Sequence, residues 1–308
     1  MERYRGRFAP SPTGPLHFGS LVAAMGSYLE ARAHNGDWLV RMEDLDPPRV
    51  APGAAEEILR ALVACGMQWD GEIVRQSARN AAYHAALHRL REKKRVYPCA
   101  CSRREIADSA IAGIDGPVYP GTCRAGLAPG KTARALRIDT RGAAVAFDDA
   151  LQGHITHDLE KEFGDFVLLR ADDVYAYQLA VVVDDAEQGI TDVVRGADLL
   201  GSTPRQIYLQ RLLSVPQPRY AHLPVVVNKS GEKLSKQTFA TPIDVANPLP
   251  ALAAALEFLG QQPPRELARG SIKELWDWAL KNWRLDRVPR RRSATANSGG
   301  SWVVGGGS

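Results

Sequence analysis

The stretch from Arg5 to Met42 constrains the fold most, because it reads as strand, loop, helix and strand in close succession. Arg5 to Phe8 has strand character and is ended by the proline- and glycine-punctuated loop Pro10-Ser-Pro-Thr-Gly14. Leu21 to Ala33 is alanine-rich, with Leu21, Met25, Tyr28 and Leu29 at helical spacing, and Asn35-Gly36 supplies a C-cap. Trp38 to Met42 is the next strand. A βαβ unit of this kind predicts a parallel α/β sheet.

Farther along, Gly53 to Lys94 is helix-rich, with alternating charge on its exposed faces. Between Cys99 and about Asp165 the pattern breaks into Gly, Pro, Asp and short apolar runs, as expected of a small domain inserted between two halves of a sheet. Strands are predicted again at Phe166–Leu169, Tyr177–Val183 and Ile190–Val194, followed by a helix over Thr203–Leu213. From Pro248 the chain is helical, with Leu252, Leu256 and Leu259 on one stripe and a second helix over Ile272–Trp283. The expected organisation is a catalytic α/β domain from residues 1–98 and 166–215, an insert at 99–165, a loop and helical region at 216–289, and a disordered low-complexity tail at 290–308.

With 308 residues and 45% hydrophobic content, two or three folded units are expected. A net charge of +4 is compatible with an RNA partner without requiring one. The N-terminus has basic residues but no apolar signal-peptide core, and the apolar stretch around Tyr175 to Val183 is too short to span a bilayer. No membrane partner and a cytoplasmic location are therefore expected. Four cysteines are too few for a disulfide framework, and three of them share one short segment.

Two segments have the composition of a nucleotide site. Pro12-Thr-Gly-Pro-Leu-His17-Phe-Gly19-Ser20 lies between a strand and a helix, where backbone N–H groups and a helix N-terminus can meet phosphates. His17 can donate to phosphate oxygens as charge develops at the α-phosphorus. The alternative is a Pro-Gly turn with an incidental histidine. In Lys233-Leu-Ser-Lys236-Gln237, after the turn Asn228-Lys-Ser-Gly231, two lysines around a serine can clamp triphosphate charge. Taken singly, such a loop is usually solvated surface; the two segments in this order are far more specific than either.

On these residues the chain resembles the class I aminoacyl-tRNA synthetases. His17-Phe-Gly-Ser20 matches their HIGH signature with Ser20 in place of the second histidine, and Lys233 to Gln237 their KMSKS signature with Gln237 in place of the final serine. The resemblance implies a Rossmann-type parallel sheet with an inserted small zinc-binding domain and a C-terminal helical extension. It also implies ATP with Mg2+ as substrate, bound by Pro12, His17, Gly19, Ser20 and Lys236, with His17, Ser20, Lys233 and Lys236 catalytic.

Glutamate carries two carboxylates and one ammonium, so a selective pocket needs about two cations and one anion. Arg7, Glu43 and Arg195 are predicted near the carboxyl ends of parallel strands, where ligands bind in such sheets. Each alone is more simply a surface ion pair. Together, Arg7-Phe-Ala9-Pro-Ser11, Glu43, Tyr177 and Val194-Arg195-Gly-Ala-Asp198 are similar to glutamyl-type synthetases, in which these groups bind L-glutamate.

Cys99, Cys101 and Cys123 suit one zinc ion, which takes four tetrahedral ligands; the alternative is reduced structural cysteines. No histidine lies between Cys99 and Cys123, leaving Tyr119, Asp108 or Asp115 for the fourth place. Resemblance favours Tyr119, through the Cys-x-Cys…Tyr-x-x-x-Cys pattern of the glutamyl-Q tRNA(Asp) synthetase branch. About seventy residues follow the second signature, too few for the large anticodon-binding region of ordinary glutamyl-tRNA synthetases. That branch implies transfer of glutamate to queuosine at the wobble base of the tRNA(Asp) anticodon; a monomer is expected. Three rival readings are a minimal synthetase charging the tRNA 3′ end, a nucleotidyltransferase acting on a small metabolite, and an inactive RNA-binding module.

Overall fold

The computed structural model describes residues 3–109, 112–114, 116–228, 231–233 and 241–295. The parallel unit is present: β1 (Arg5–Phe8), α1 (Phe18–Ala33) and β2 (Asp37–Met42), with β1 and β2 in parallel register. Gly36 is required at the return, because a Cβ there would lie 2.4 Å from the Tyr4 carbonyl oxygen. After α2 (Ala54–Ala64), β3 (Val74–Arg75) adds in parallel to β2, and α3 (Asn80–Glu92) follows.

The insert begins with β4 (Val96–Cys99), α4 (Arg103–Ser109), and the short hairpin β5 (Ala112–Gly113) and β6 (Gly116–Pro117). Next come β7 (Ala135–Ile138), β8 (Ala144–Asp149), β9 (Gly153–Asp158), α5 (Leu159–Glu162) and β10 (Val167–Leu169). Phe166–Leu169 was expected to belong to the parallel sheet of the catalytic domain, but as β10 it pairs antiparallel with β7, which pairs antiparallel with β4. Nor is the insert free-standing. β8 attaches to the main sheet at Tyr220↔Asp149, and its strict alternation of exposed and buried positions turns Val145, Phe147 and Asp149 inward.

Residues Tyr177–Glu187 form a helix, α6, rather than the strand expected over Tyr177–Val183. A short apolar run buried on every side has no diagnostic period, and here it continues into Asp184 and Asp185, which are buried as ion-pair partners. β11 (Asp192–Gly196), α7 (Ser202–Leu213) and β12 (Arg219–Leu223) complete the sheet, with β11 and β12 parallel. β11 lies beside β1, where the Thr191 N–H donates to the Arg5 carbonyl at 3.0 Å. Strand ends from both halves of the chain therefore open on one side.

β13 (Val225–Val227), α8 (Leu249–Phe258) and α9 (Ile272–Asn282) follow, and α8 and α9 cover the face of α1 turned away from the sheet. This explains why α1 is buried almost all round. β14 (Ser293–Thr295) pairs in parallel with β13. Thus part of the expected disordered tail is a strand: β13 offers an unpaired edge, and backbone pairing asks little of side-chain composition. Among the described residues, no helix is long and apolar enough to cross a membrane.

Candidate active site

A cleft of about 810 Å³ opens at the carboxyl ends of β1 and β11, beside the N-terminus of α1. Arg7, Ala9, Ser11, His17, Gly19, Ser20, Glu43, Tyr177, Arg195 and Lys233 all line it, so the fold brings together residues scattered across most of the chain. Pro12 does not line it; it is buried, and its carbonyl accepts from the Ala51 N–H at 2.9 Å. Lys236, with Ser235 and Gln237, lies outside the described residues.

His17 is the N-cap of α1, its Nδ1 accepting from the Ser20 N–H at 3.3 Å. Nε2 then carries the proton, 3.0 Å from the Ser20 hydroxyl. Burial, then the nearby Lys233 charge, holds the imidazole below its ordinary pKa. His17 is accordingly a neutral donor relayed through Ser20. Across the cleft, Lys233 pairs with Asp198 at 2.5 Å. Gly196 allows that aspartate to fold back, since a Cβ there would lie 2.3 Å from its Oδ1.

The two arginines differ sharply in their surroundings. Arg7 is 3% exposed and donates to both Asp185 oxygens, from Nε at 3.2 Å and Nη2 at 3.4 Å. Asp185 also meets the fully buried Arg41 at 2.8 Å, and Arg41 reaches Glu43 at 3.4 Å. Burial opposes ionisation of Asp185, but Arg7 and Arg41 outweigh it and lower its pKa. For Glu43 burial wins over the same two cations and the pKa is raised. Neither Arg41 nor Asp185 was legible as part of a site; the signal available was two acids ending an apolar run.

Arg195 is 5% exposed, yet among the described residues it has no ion pair. Its donors meet neutral acceptors: the His222 ring at 3.1 Å, Thr203 at 2.9 Å, Gln206 at 2.8 Å and the Tyr177 hydroxyl at 3.3 Å. Burying an uncompensated charge is costly. A ligand anion in the cleft would supply the missing partner.

A second cluster lies in the insert, where the sulfur atoms of Cys99, Cys101 and Cys123 lie within 4.8 Å of one another. Tetrahedral zinc with bonds of about 2.3 Å places sulfurs about 3.8 Å apart. Cys101 and Cys123 are 3.6 Å apart, and the Tyr119 hydroxyl is 3.4 Å from Cys99 and 3.6 Å from Cys101. The donor set and spacing fit such an ion. Asp108 is exposed, paired with Arg104 and absent from the cluster; Asp115 lies outside the described residues.

Fold and cleft together define a class I synthetase, and residues 3–247 match the family "tRNA synthetases class I (E and Q), catalytic domain". The glutamyl-Q tRNA(Asp) synthetase of Aromatoleum aromaticum is 60% identical over 293 residues, which is 95% of this chain and 93% of that protein. The chain belongs to the glutamyl-Q tRNA(Asp) synthetase family. The Dechloromonas aromatica protein of that name is 60% identical over 290 residues, 94% of this chain and 96% of that one. The crystal structure of glutamate-tRNA synthetase from Elizabethkingia anophelis superposes with a TM-score of 0.78 at 25% identity, covering 96% of this chain and 68% of the other.

Proposed function

We propose that the chain condenses L-glutamate with ATP, taken with Mg2+, to glutamyl-adenylate, and transfers the glutamyl group to queuosine at the wobble position of tRNA(Asp). In the first step a glutamate α-carboxylate oxygen bonds to the α-phosphorus and pyrophosphate leaves. The observation that carries this reading is Arg195, a buried cation whose partners among the described residues are all neutral and which lines the cleft beside Tyr177. It calls for an anionic substrate side chain.

In this assignment Arg7 and Arg195 are the two cations, Glu43 meets the ammonium, and Ala9 and Ser11 lie on the loop after β1. His17 and Ser20 donate to phosphate oxygens. Gly19 leaves room for their approach, and Lys233 meets the pyrophosphate. Lys236 joins Lys233 there. Of the described residues before and after it in the chain, Lys233 bridges Val227, and the Ile243 N–H donates to the carbonyl of the cleft residue Leu16 at 2.9 Å. Cys99, Cys101, Cys123 and Tyr119 hold one zinc ion, which shapes the insert. The protein acts as a monomer in the cytoplasm.

The first test is ATP–pyrophosphate exchange, where glutamate should support turnover and glutamine should not. The second presents labelled glutamate to an anticodon stem-loop of tRNA(Asp), which has no acceptor end. Label should enter the loop carrying queuosine and not one carrying guanine. Label entering intact tRNA but neither stem-loop would select 3′-end charging instead. Absence of exchange with any amino acid would select the inactive RNA-binding module.

A further inference from the structure

We propose that His222 and Asp149 are positioning residues for substrate side-chain recognition, holding Arg195 from behind through a neutral acceptor so that its charge stays available to the substrate. This rests on the reading of Arg195 as the group that meets the glutamate side chain. Neither residue lines the cleft.

A guanidinium has five N–H donors in a fixed fork. Nε donates to His222 Nε2 at 3.1 Å, and Nη2 donates to Thr203 Oγ1 at 2.9 Å and Gln206 Oε1 at 2.8 Å. Nη1 reaches the Tyr177 hydroxyl at 3.3 Å and retains a second N–H. Tyr177, accepting from Arg195, keeps its own proton to donate. The cleft side of the pair therefore offers two donors side by side, as a carboxylate requires. An amide can satisfy one of them and brings no charge.

The far side of the fork depends on which nitrogen of His222 is protonated. Asp149 Oδ2 lies 2.6 Å from His222 Nδ1, while its Oδ1 accepts from the backbone N–H groups of His222 at 3.2 Å, Leu151 at 3.0 Å and Gln152 at 2.9 Å. So surrounded by donors, the carboxylate stays ionised and draws the proton to Nδ1, leaving the Nε2 lone pair facing Arg195. The opposite tautomer would set N–H against N–H. Burial keeps the ring neutral, with the Arg195 charge acting the same way. A carboxylate placed directly against Arg195 would orient it as well, but would also occupy its charge. The histidine passes on the orientation set by Asp149 without passing on the charge.

The test uses near-isosteric variants, because glutamine keeps a strong acceptor where methionine has only a weakly accepting thioether sulfur. In glutamate-dependent ATP–pyrophosphate exchange, His222→Met should raise the KM for glutamate about tenfold or more, the usual cost of a lost hydrogen bond to a charged group. The KM for ATP should stay within about threefold of wild type, and His222→Gln should restore most of the glutamate KM. Equal effects of Met and Gln, or parallel rises in both KM values, would show mere packing and overturn the proposal. If His222→Met does not fold, Asp149→Asn removes the charge that fixes the tautomer. A rise in its glutamate KM alone supports the proposal, and an unchanged one overturns it. Arg195→Leu separates the two levels: an unchanged glutamate KM there sinks the reading of Arg195 itself. A raised one with no effect at His222 or Asp149 sinks only the positioning role.

Discussion

Arg7 and Arg195 are both buried, but Arg7 brings its counter-ion from α6, while Arg195 is held by neutral groups. The neutrality of His222 has a thermodynamic consequence. Burial lowers its pKa from 6.5 to about 4, with Asp149 opposing and Arg195 and Arg7 adding to the shift. Between those values the unfolded imidazole binds a proton that the native one excludes. Native stability therefore falls as pH drops from about 6.5 towards about 4, by an amount on the order of 3 kcal/mol when complete. Urea unfolding of wild type and His222→Gln at pH 7 and pH 4.5 checks this. The variant should lose less stability on acidification, and identical losses would mean that His222 does not titrate in this way. That Arg195 and Glu43 line the cleft was legible, because both stand at the carboxyl ends of parallel strands, where such sheets open. Asp149 and His222 were not, because β8 pairing with β12 brings them together across 73 positions.

At the scale of elements, the first βαβ unit was legible because its turn residues and its helical period agree. α6 was not, since Leu179 to Val183 is apolar on every side and packs among α3, α7 and β10. β10 was found as a strand but assigned to the wrong sheet, because residue pattern reports a strand and not its partner. The end of α2 shows how tightly the C-terminal helices are tied to the first half of the chain. Gly66 has φ +73°, and a Cβ there would lie 2.8 Å from Ile272 Cγ2 and 2.9 Å from Trp276 Nε1. Trp276 meanwhile donates to the Cys65 carbonyl at 2.8 Å. Gly66→Ala should cost about 2–4 kcal/mol, from the left-handed backbone and from displacement of α9. Denaturant titration measures this; a loss below about 0.5 kcal/mol would mean that α9 shifts at almost no cost.

At the scale of the whole molecule, the cleft and the cysteine cluster are separate, sharing no lining residue. The cluster joins the end of β4 to the segment 119–123, and Arg137 on β7 ties it to the insert sheet. The Arg137 guanidinium lies 4.1 Å from the Tyr119 ring centroid, and its Nε donates to Cys99 Sγ at 3.3 Å. A metal held there would couple to the local fold, because its ligands come from segments that meet only when the insert is formed. Protein prepared without chelator should contain one zinc per chain, and Cys101→Ala should lose it. Tyr119→Phe leaves three thiolates and should retain zinc more weakly, releasing it to a chelator sooner than wild type does. If the Tyr119→Phe variant holds zinc as firmly as wild type, the tyrosine is not a ligand. Because the insert's antiparallel sheet lies apart from the strand ends that line the cleft, Cys101→Ala should spare glutamate-dependent pyrophosphate exchange and lower glutamyl transfer to the RNA. Equal loss of both would mean that the insert supports the cleft itself, through β8 and its junction with β12. Finding no stoichiometric zinc in the wild-type protein would leave three reduced cysteines packed around a tyrosine.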